Sequence, residues 1–117
     1  MINPFDTICA ISTPIGEGGI SVIRISGTDS FRIIRNIFSK SREKYKAINI
    51  SETDSHTVNF GYLFDENKLV DEVLVSIFKS PNSFTGEDII EISAHGGVFV
   101  TRKILSLIIK QGARHAE

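Results

Sequence analysis

The sequence predicts an α/β (α+β) domain, a mixed five-stranded sheet with two main helices packed against it. Three observations carry this. Five stretches show the alternating or continuous apolar pattern of strands, and two show the 3.6-residue period of helices. The connections between them are of both kinds, a helical crossover and a tight hairpin. At 117 residues, 41% hydrophobic and 23% charged, the chain forms one domain over residues 1–117 with one core. A net charge of −1 argues against this domain alone gripping nucleic acid, which needs a clustered basic surface. One cysteine makes no internal disulfide, and there is no signal-peptide core and no apolar run near 18 residues. A reducing, cytoplasmic setting away from membranes is the expectation. Gly112 to Glu117 read as a connecting turn, which fits a piece of a longer protein.

Taken in order, Thr7 to Thr13 is the first strand, bounded by Asp6 and Pro14, with Cys9 as a small core residue. Pro14-Ile15-Gly16-Glu17-Gly18-Gly19 is a glycine-rich loop, serving either a tight connection or close backbone approach to a ligand. It is not a Walker A loop, because no Gly-Lys-Ser/Thr follows, nor a dinucleotide fingerprint, because strand-like residues follow. Ile20 to Ser26 is the second strand, with Ile20, Val22, Arg24 and Ser26 on one face and Ser21, Ile23 and Ile25 on the other. Arg24 is a charge set among β-branched residues. It either snorkels to water at an edge or shares a polar pocket with an acidic partner.

Gly27 breaks that strand, and Thr28, Asp29 and Ser30 are N-cap candidates. The helix that follows, roughly Asp29 to Ser39, carries the stripe Phe31, Ile34 and Phe38, widened by Ile33 and Ile37. Lys40 to Ser55 is a polar loop, its Lys40, Arg42, Lys44 and Lys46 either solvated or forming a basic lip for an anionic partner. His56 to Phe64 and Leu69 to Lys79 are strands around the turn Asp65-Glu66-Asn67-Lys68. The second reads as interior, with Asp71 and Glu72 as exposed charges near its start.

The rest is organised around Ser80 to Gly97, in which a turn-forming loop leads into an apolar strand and a His-Gly-Gly corner. Ile90, Ile92 and Ala94 alternate with Ile89, Glu91 and Ser93, so the strand is predicted central and covered on both faces. An ionised Glu91 is costly there unless paired, and Arg24 is its cationic counterpart. Val98 to Lys110 is the second helix, with the stripe Val100, Ile104, Leu105 and Ile108 and Gly112 as its stop. His95-Gly96-Gly97 then occupies a strand-to-helix corner, where free N–H groups and the helix dipole favour an anion; His95 is equally readable as a structural histidine. No second His, Cys or carboxylate is spaced to complete a metal site, so no metal is expected.

Two stretches, TPIGEGGISVIRISG and SPNSFTGEDIIEISAHGG, in this order and spacing, resemble the N-terminal domain of the MnmE or TrmE family of tRNA-modifying GTPases. The resemblance runs from about Asp6 to the last residue, with a variable middle at Lys40 to Ser55. It implies a fold like the folate-binding domains of one-carbon enzymes, binding of 5-formyltetrahydrofolate, and a homodimer. It implies Arg24 and Glu91 as folate contacts; the glycine loop and the His-Gly-Gly corner, with Gly18, Gly19, His95 and Gly96, are then placed to let backbone approach the ring. It assigns no catalytic residue here. A further contact, a lysine, is expected just beyond the last residue. Full-length members act with an MnmG-type flavoprotein to add an aminomethyl-type group to the wobble uridine of certain tRNAs. Their GTP, magnesium and potassium sites and their C-terminal cysteine motif belong to regions this chain does not contain. By itself the chain is therefore expected neither to hydrolyse GTP nor to modify tRNA. The alternative is a structural dimerisation domain in which Arg24 and Glu91 form a buried ion pair and no ligand binds. A weaker third reading is direct RNA contact through Lys40 to Lys46.

Overall fold

Ile8–Ile11 (β1) and Ile20–Ser26 (β2) run antiparallel, Cys9 opposite Ile25 and Ala10 opposite Arg24. In the computed structural model, which describes residues 6–12, 19–81 and 86–116, they begin a single mixed sheet. Ser30–Ile37 (α1) follows, then Phe38–Ser39 (β3), Thr57–Asp65 (β4), Lys68–Phe78 (β5) and Ile89–His95 (β6). Val98–Lys110 (α2) and Arg114–His115 (β7) are the last elements among the described residues. The strand order is β3-β4-β5-β6-β2-β1-β7, with every pair antiparallel except β1 and β7. Among the described residues seven strands stand where five were expected. The two additional ones, β3 and β7, have two residues each, too few to show any periodicity.

Both helices cover the same face of the sheet. Ile33, Ile34 and Ile37 of α1 and Ile104 and Ile108 of α2 share one core with Ile23 and Ile25 of β2, Val75 and Ile77 of β5, and Ile90 and Ile92 of β6. Each fully buried isoleucine contributes on the order of 2 kcal/mol of burial. The other face has no covering element among the described residues: Ile20, Val58, Phe60 and Leu74 are 43–66% exposed there. This corrects the expectation that β6 is covered on both sides. Its position in the sheet is central, but on that face only Ile89 at its start is buried, at 3% exposed, while Glu91 and Ser93 are half-buried and His95 is exposed.

Helix α1 is shorter than its apolar stripe suggested. Phe38 turns to extended backbone (φ −99°, ψ 134°) and pairs with Leu63 of β4, so its side chain enters the core from a strand. Gly61 of β4 makes that possible: a Cβ there would lie 2.6 Å from the Ser39 carbonyl oxygen and closer still to the Phe38 ring. Gly27 does similar work at the end of β2. Its φ is +135°, and its N–H donates to the Asp88 carbonyl (3.0 Å) while its own carbonyl accepts from the Ser30 hydroxyl (2.9 Å). A Cβ on Gly27 would sit 2.7 Å from Thr7 Cα. One residue thereby joins the start of β1, the entry to α1 and the approach to β6. Cys9 is 1% exposed, and burial pushes its thiol up to about 11, so it stays protonated and inert near neutral pH.

Candidate functional site

The register between β2 and β6 sets Arg24 directly opposite Glu91. Both point away from the helices, because Ile23, Ile25, Ile90 and Ile92 alternate with them into the core. The guanidinium donates through Nη2 at 3.0 Å and Nε at 3.3 Å, both to Oε2 of Glu91. The second carboxylate oxygen, Oε1, is therefore not engaged by Arg24. Within the single chain the side chains are 44% and 24% exposed, so the pair is not buried by this chain alone. The physical reason is the uncovered sheet face. A pair this open contributes only about 0–1 kcal/mol to stability.

Arg24 and Glu91 line a cavity of about 230 Å³ together with His56, Phe78 and Ile89. The His56 and Phe78 rings meet edge to face with centroids 5.3 Å apart, making one wall aromatic. Phe78 belongs there by strand phase, since it lies opposite Ile89 and two residues from Ser76, which faces Glu91. His56 arrives by a different route. Its backbone is left-handed (φ +61°), and its Nδ1 lies 2.9 Å from the Ser55 hydroxyl, which also accepts the Lys79 N–H at 2.8 Å. Neither residue was singled out from the sequence: Phe78's phase was visible, whereas nothing in the pattern announced a left-handed histidine.

Gly19, His95 and Gly96 gather at the other end of the same two strands. Gly96 donates to the Gly19 carbonyl (3.1 Å), and Ile20 pairs with His95. Four residues of strand separate this group from Arg24 and Glu91, roughly 13 Å along the sheet face. Gly18 lies outside the described residues, as do 13–17 and 82–85. Gly19 and His95 border a shallow cavity of about 300 Å³ with Phe60, Leu74 and Ser93.

His95 does not serve the N-terminus of α2. Asp71 accepts both its backbone N–H (3.0 Å) and its ring Nδ1–H (2.7 Å). The Asp71 side chain is only 12% exposed, which corrects its reading as an exposed charge. The hydrogen bond to Asp71, then the Asp71 charge and more weakly that of Glu72, raise the His95 pKa above its usual 6.5. A raised folded-state pKa gives stability that is full below about 6.5 and lost as pH rises through the His95 value. The melting temperature of wild type relative to His95→Gln should accordingly be higher at pH 6 than at pH 8.5. An imidazole NMR titration midpoint at or below 6.5 would contradict this. No group of three or more potential metal ligands occurs among the described residues, and no helix there is long and apolar enough to cross a membrane.

Comparison with known proteins bears on these residues together. The family model described as the GTP-binding protein TrmE N-terminus matches residues 7–117. The tRNA modification GTPase MnmE of Lactococcus lactis subsp. cremoris (strain MG1363) is 50% identical over 117 residues, all of this chain and 24% of that protein. The proteins of the same name from Streptococcus sanguinis (strain SK36) and Streptococcus mutans (strain ATCC 700610 / UA159) are 52% and 47% identical over 115 residues. The chain spans about a quarter of the length of these curated relatives. With a family model matched over nearly every residue and half of all positions identical, the chain belongs to the TrmE N-terminus family.

Proposed function

We propose that this chain is the folate-binding and dimerisation module of a tRNA-modification GTPase. The observation that carries the reading is the Arg24–Glu91 pair, opposed across two strands at the mouth of a cavity with an aromatic wall. A reduced pterin presents an amide N–H beside an exocyclic amine, two parallel donors that one carboxylate accepts together. Glu91 has acceptor capacity for both, because Arg24 engages Oε2 alone and a carboxylate offers about four lone-pair sites. Arg24 holds that carboxylate in orientation and donates to a pterin or formyl oxygen. At about 230 Å³ the cavity is smaller than those that enclose whole drug-sized ligands. It suits the ring system of 5-formyltetrahydrofolate, with the remainder of the molecule running over the open face towards Gly19, His95 and Gly96. When bound, the folate supplies the one-carbon unit, and the residues here hold and orient it.

The apolar residues of the open face support the second half of the proposal. Phe60 and Leu74 are paired across β4 and β5, and Val58 and Ile20 flank them, giving a surface suited to a second copy of the chain. In the full-length protein this module serves GTP hydrolysis and wobble-uridine modification with an MnmG-type flavoprotein in the cytoplasm. Titration of 5-formyltetrahydrofolate into the chain by calorimetry is expected to saturate near one ligand per chain. The ligand should also raise the melting temperature, by an amount corresponding to about 2.7 kcal/mol at a hundredfold excess over Kd. Absence of both heat and shift at millimolar ligand would overturn folate binding. Sedimentation is expected to show a dimer that Leu74→Lys converts to monomer, and a monomeric wild type at about 100 μM would overturn dimerisation by this face.

A further inference from the structure

The chain's near-zero net charge conceals a segregation. Between residues 32 and 46 stand six basic residues, Arg32, Arg35, Lys40, Arg42, Lys44 and Lys46, against one acidic residue, Glu43. The fold adds Lys79, just past the end of β5, which meets Phe31, Arg32 and Arg35 of α1 on the helix-covered side of the sheet. There a cavity of about 350 Å³ is lined by Phe31, Arg32, Arg35, Asn49, Ile50 and Lys79. Three cationic side chains surround it, and no lining residue is acidic.

Arg32 has a weak local partner, the Asp29 carboxylate at 3.6 Å, and donates to the Gln111 carbonyl at 3.2 Å. Among the described residues neither Arg35 nor Lys79 takes part in an ion pair. The basic loop is held to the same flank. The Tyr45 phenol donates to the Arg35 carbonyl, and its ring meets Phe64 edge to face. Lys44 and Lys46, the neighbours of Tyr45, are exposed beside it.

We infer that this cavity and its flank form a phosphate site for an RNA strand, with backbone phosphodiesters falling on Arg32, Arg35 and Lys79. Guanidinium forks match the paired oxygens of a phosphate, and three cations around one hollow offer a counter-charge to phosphates along a strand. Phe31 adds an apolar wall for a ribose or base. Arg24 and Glu91 lie on the opposite face of the sheet, so both sites can be filled at once. The choice of RNA over another polyanion rests on the proposed role in tRNA modification.

The test is fluorescence anisotropy of a fluorescein-labelled, 20-nucleotide single-stranded RNA titrated with the chain from low to moderate salt. Three neutralised phosphates on a single strand predict a slope of log affinity on log salt near −2, at about 0.7 per phosphate. Arg32→Ala/Arg35→Ala/Lys79→Ala is expected to weaken binding at least tenfold at low salt. It should also bring the slope towards zero, since a phosphate with no cation facing it keeps its counterions (~0.7 in slope for each). Arg102→Ala/Lys103→Ala/Lys110→Ala removes the same charge from α2 and should cost less than threefold, by the long-range field alone. Equal losses in both variants, or no binding by wild type at low salt, overturn the proposal. Displacement of the RNA by micromolar inorganic pyrophosphate also overturns it, in favour of a free-phosphate site. Should the first variant fail to fold, wild-type amide shifts decide: RNA-induced changes at 31–35, 49–50 and 79 support the site, and changes confined elsewhere overturn it. Folate titration of the same samples separates the two readings, since loss of either activity leaves the other measurable.

Discussion

Gly27→Ala is expected to remove about 3–5 kcal/mol of stability, the sum of backbone strain and overpacking. At φ +135° an L-residue pays the full penalty of a conformation that glycine adopts freely. The added methyl also meets Thr7 Cα at 2.7 Å and the Asp6 carbonyl oxygen at 2.8 Å, both of them backbone, so no side chain can swing away. Relief requires moving β1 away from β2, or pulling the Gly27 N–H off the Asp88 carbonyl. A domain of this size has only about 5–15 kcal/mol to lose. Urea unfolding should show a lowered midpoint with an unchanged slope, the sign of lost native stability. Gly19→Ala is the comparison, since a Cβ there meets nothing within 4 Å, and it should change stability little. A Gly27→Ala loss under about 1 kcal/mol would mean the turn relaxes at low cost, contrary to the strain expected at such a site.

Glu91→Gln is expected to weaken 5-formyltetrahydrofolate at least about a hundredfold while moving stability by no more than about 1 kcal/mol. The amide keeps one acceptor but replaces the other with an NH₂, which faces either the Arg24 guanidinium or the donor edge of the pterin. Like groups then oppose each other in either orientation. Calorimetry reads the first effect and urea unfolding the second. Unchanged affinity would remove Glu91 from the ligand site. A loss of about 3 kcal/mol or more with affinity intact would make the pair structural, the behaviour of a desolvated ion pair.

The sequence exposed the elements whose periodicity is long enough to count. β2 and α2 begin and end at the residues their patterns indicate, Ile20–Ser26 and Val98–Lys110. The convergence of Arg24 and Glu91 was visible as two charges on the isoleucine faces of two strands. What escaped depends on tertiary placement. Phe38 continues the α1 stripe yet belongs to a strand, because Gly61 makes room for its ring. Isoleucine on both faces of β6 reads as cover along its whole length, yet on the open face only Ile89 at its start is buried, because cover there depends on neighbouring segments and not on the strand's own pattern. Asp71 and His95 lie 24 residues apart and meet only through the pairing of β5 with β6.

The outermost strands, Phe38–Ser39 and Arg114–His115, offer an incoming strand almost no ladder to extend. Beyond β3 the rim of β4 is met at the Phe60 carbonyl by the Lys40 ammonium, a charge that discourages lateral stacking. Among the described residues, side-to-side addition of chains thereby finds little ladder at either rim of the sheet. The dimer proposed above would instead use the broad greasy surface, where a twofold arrangement uses up the sticky area and terminates the assembly at two copies.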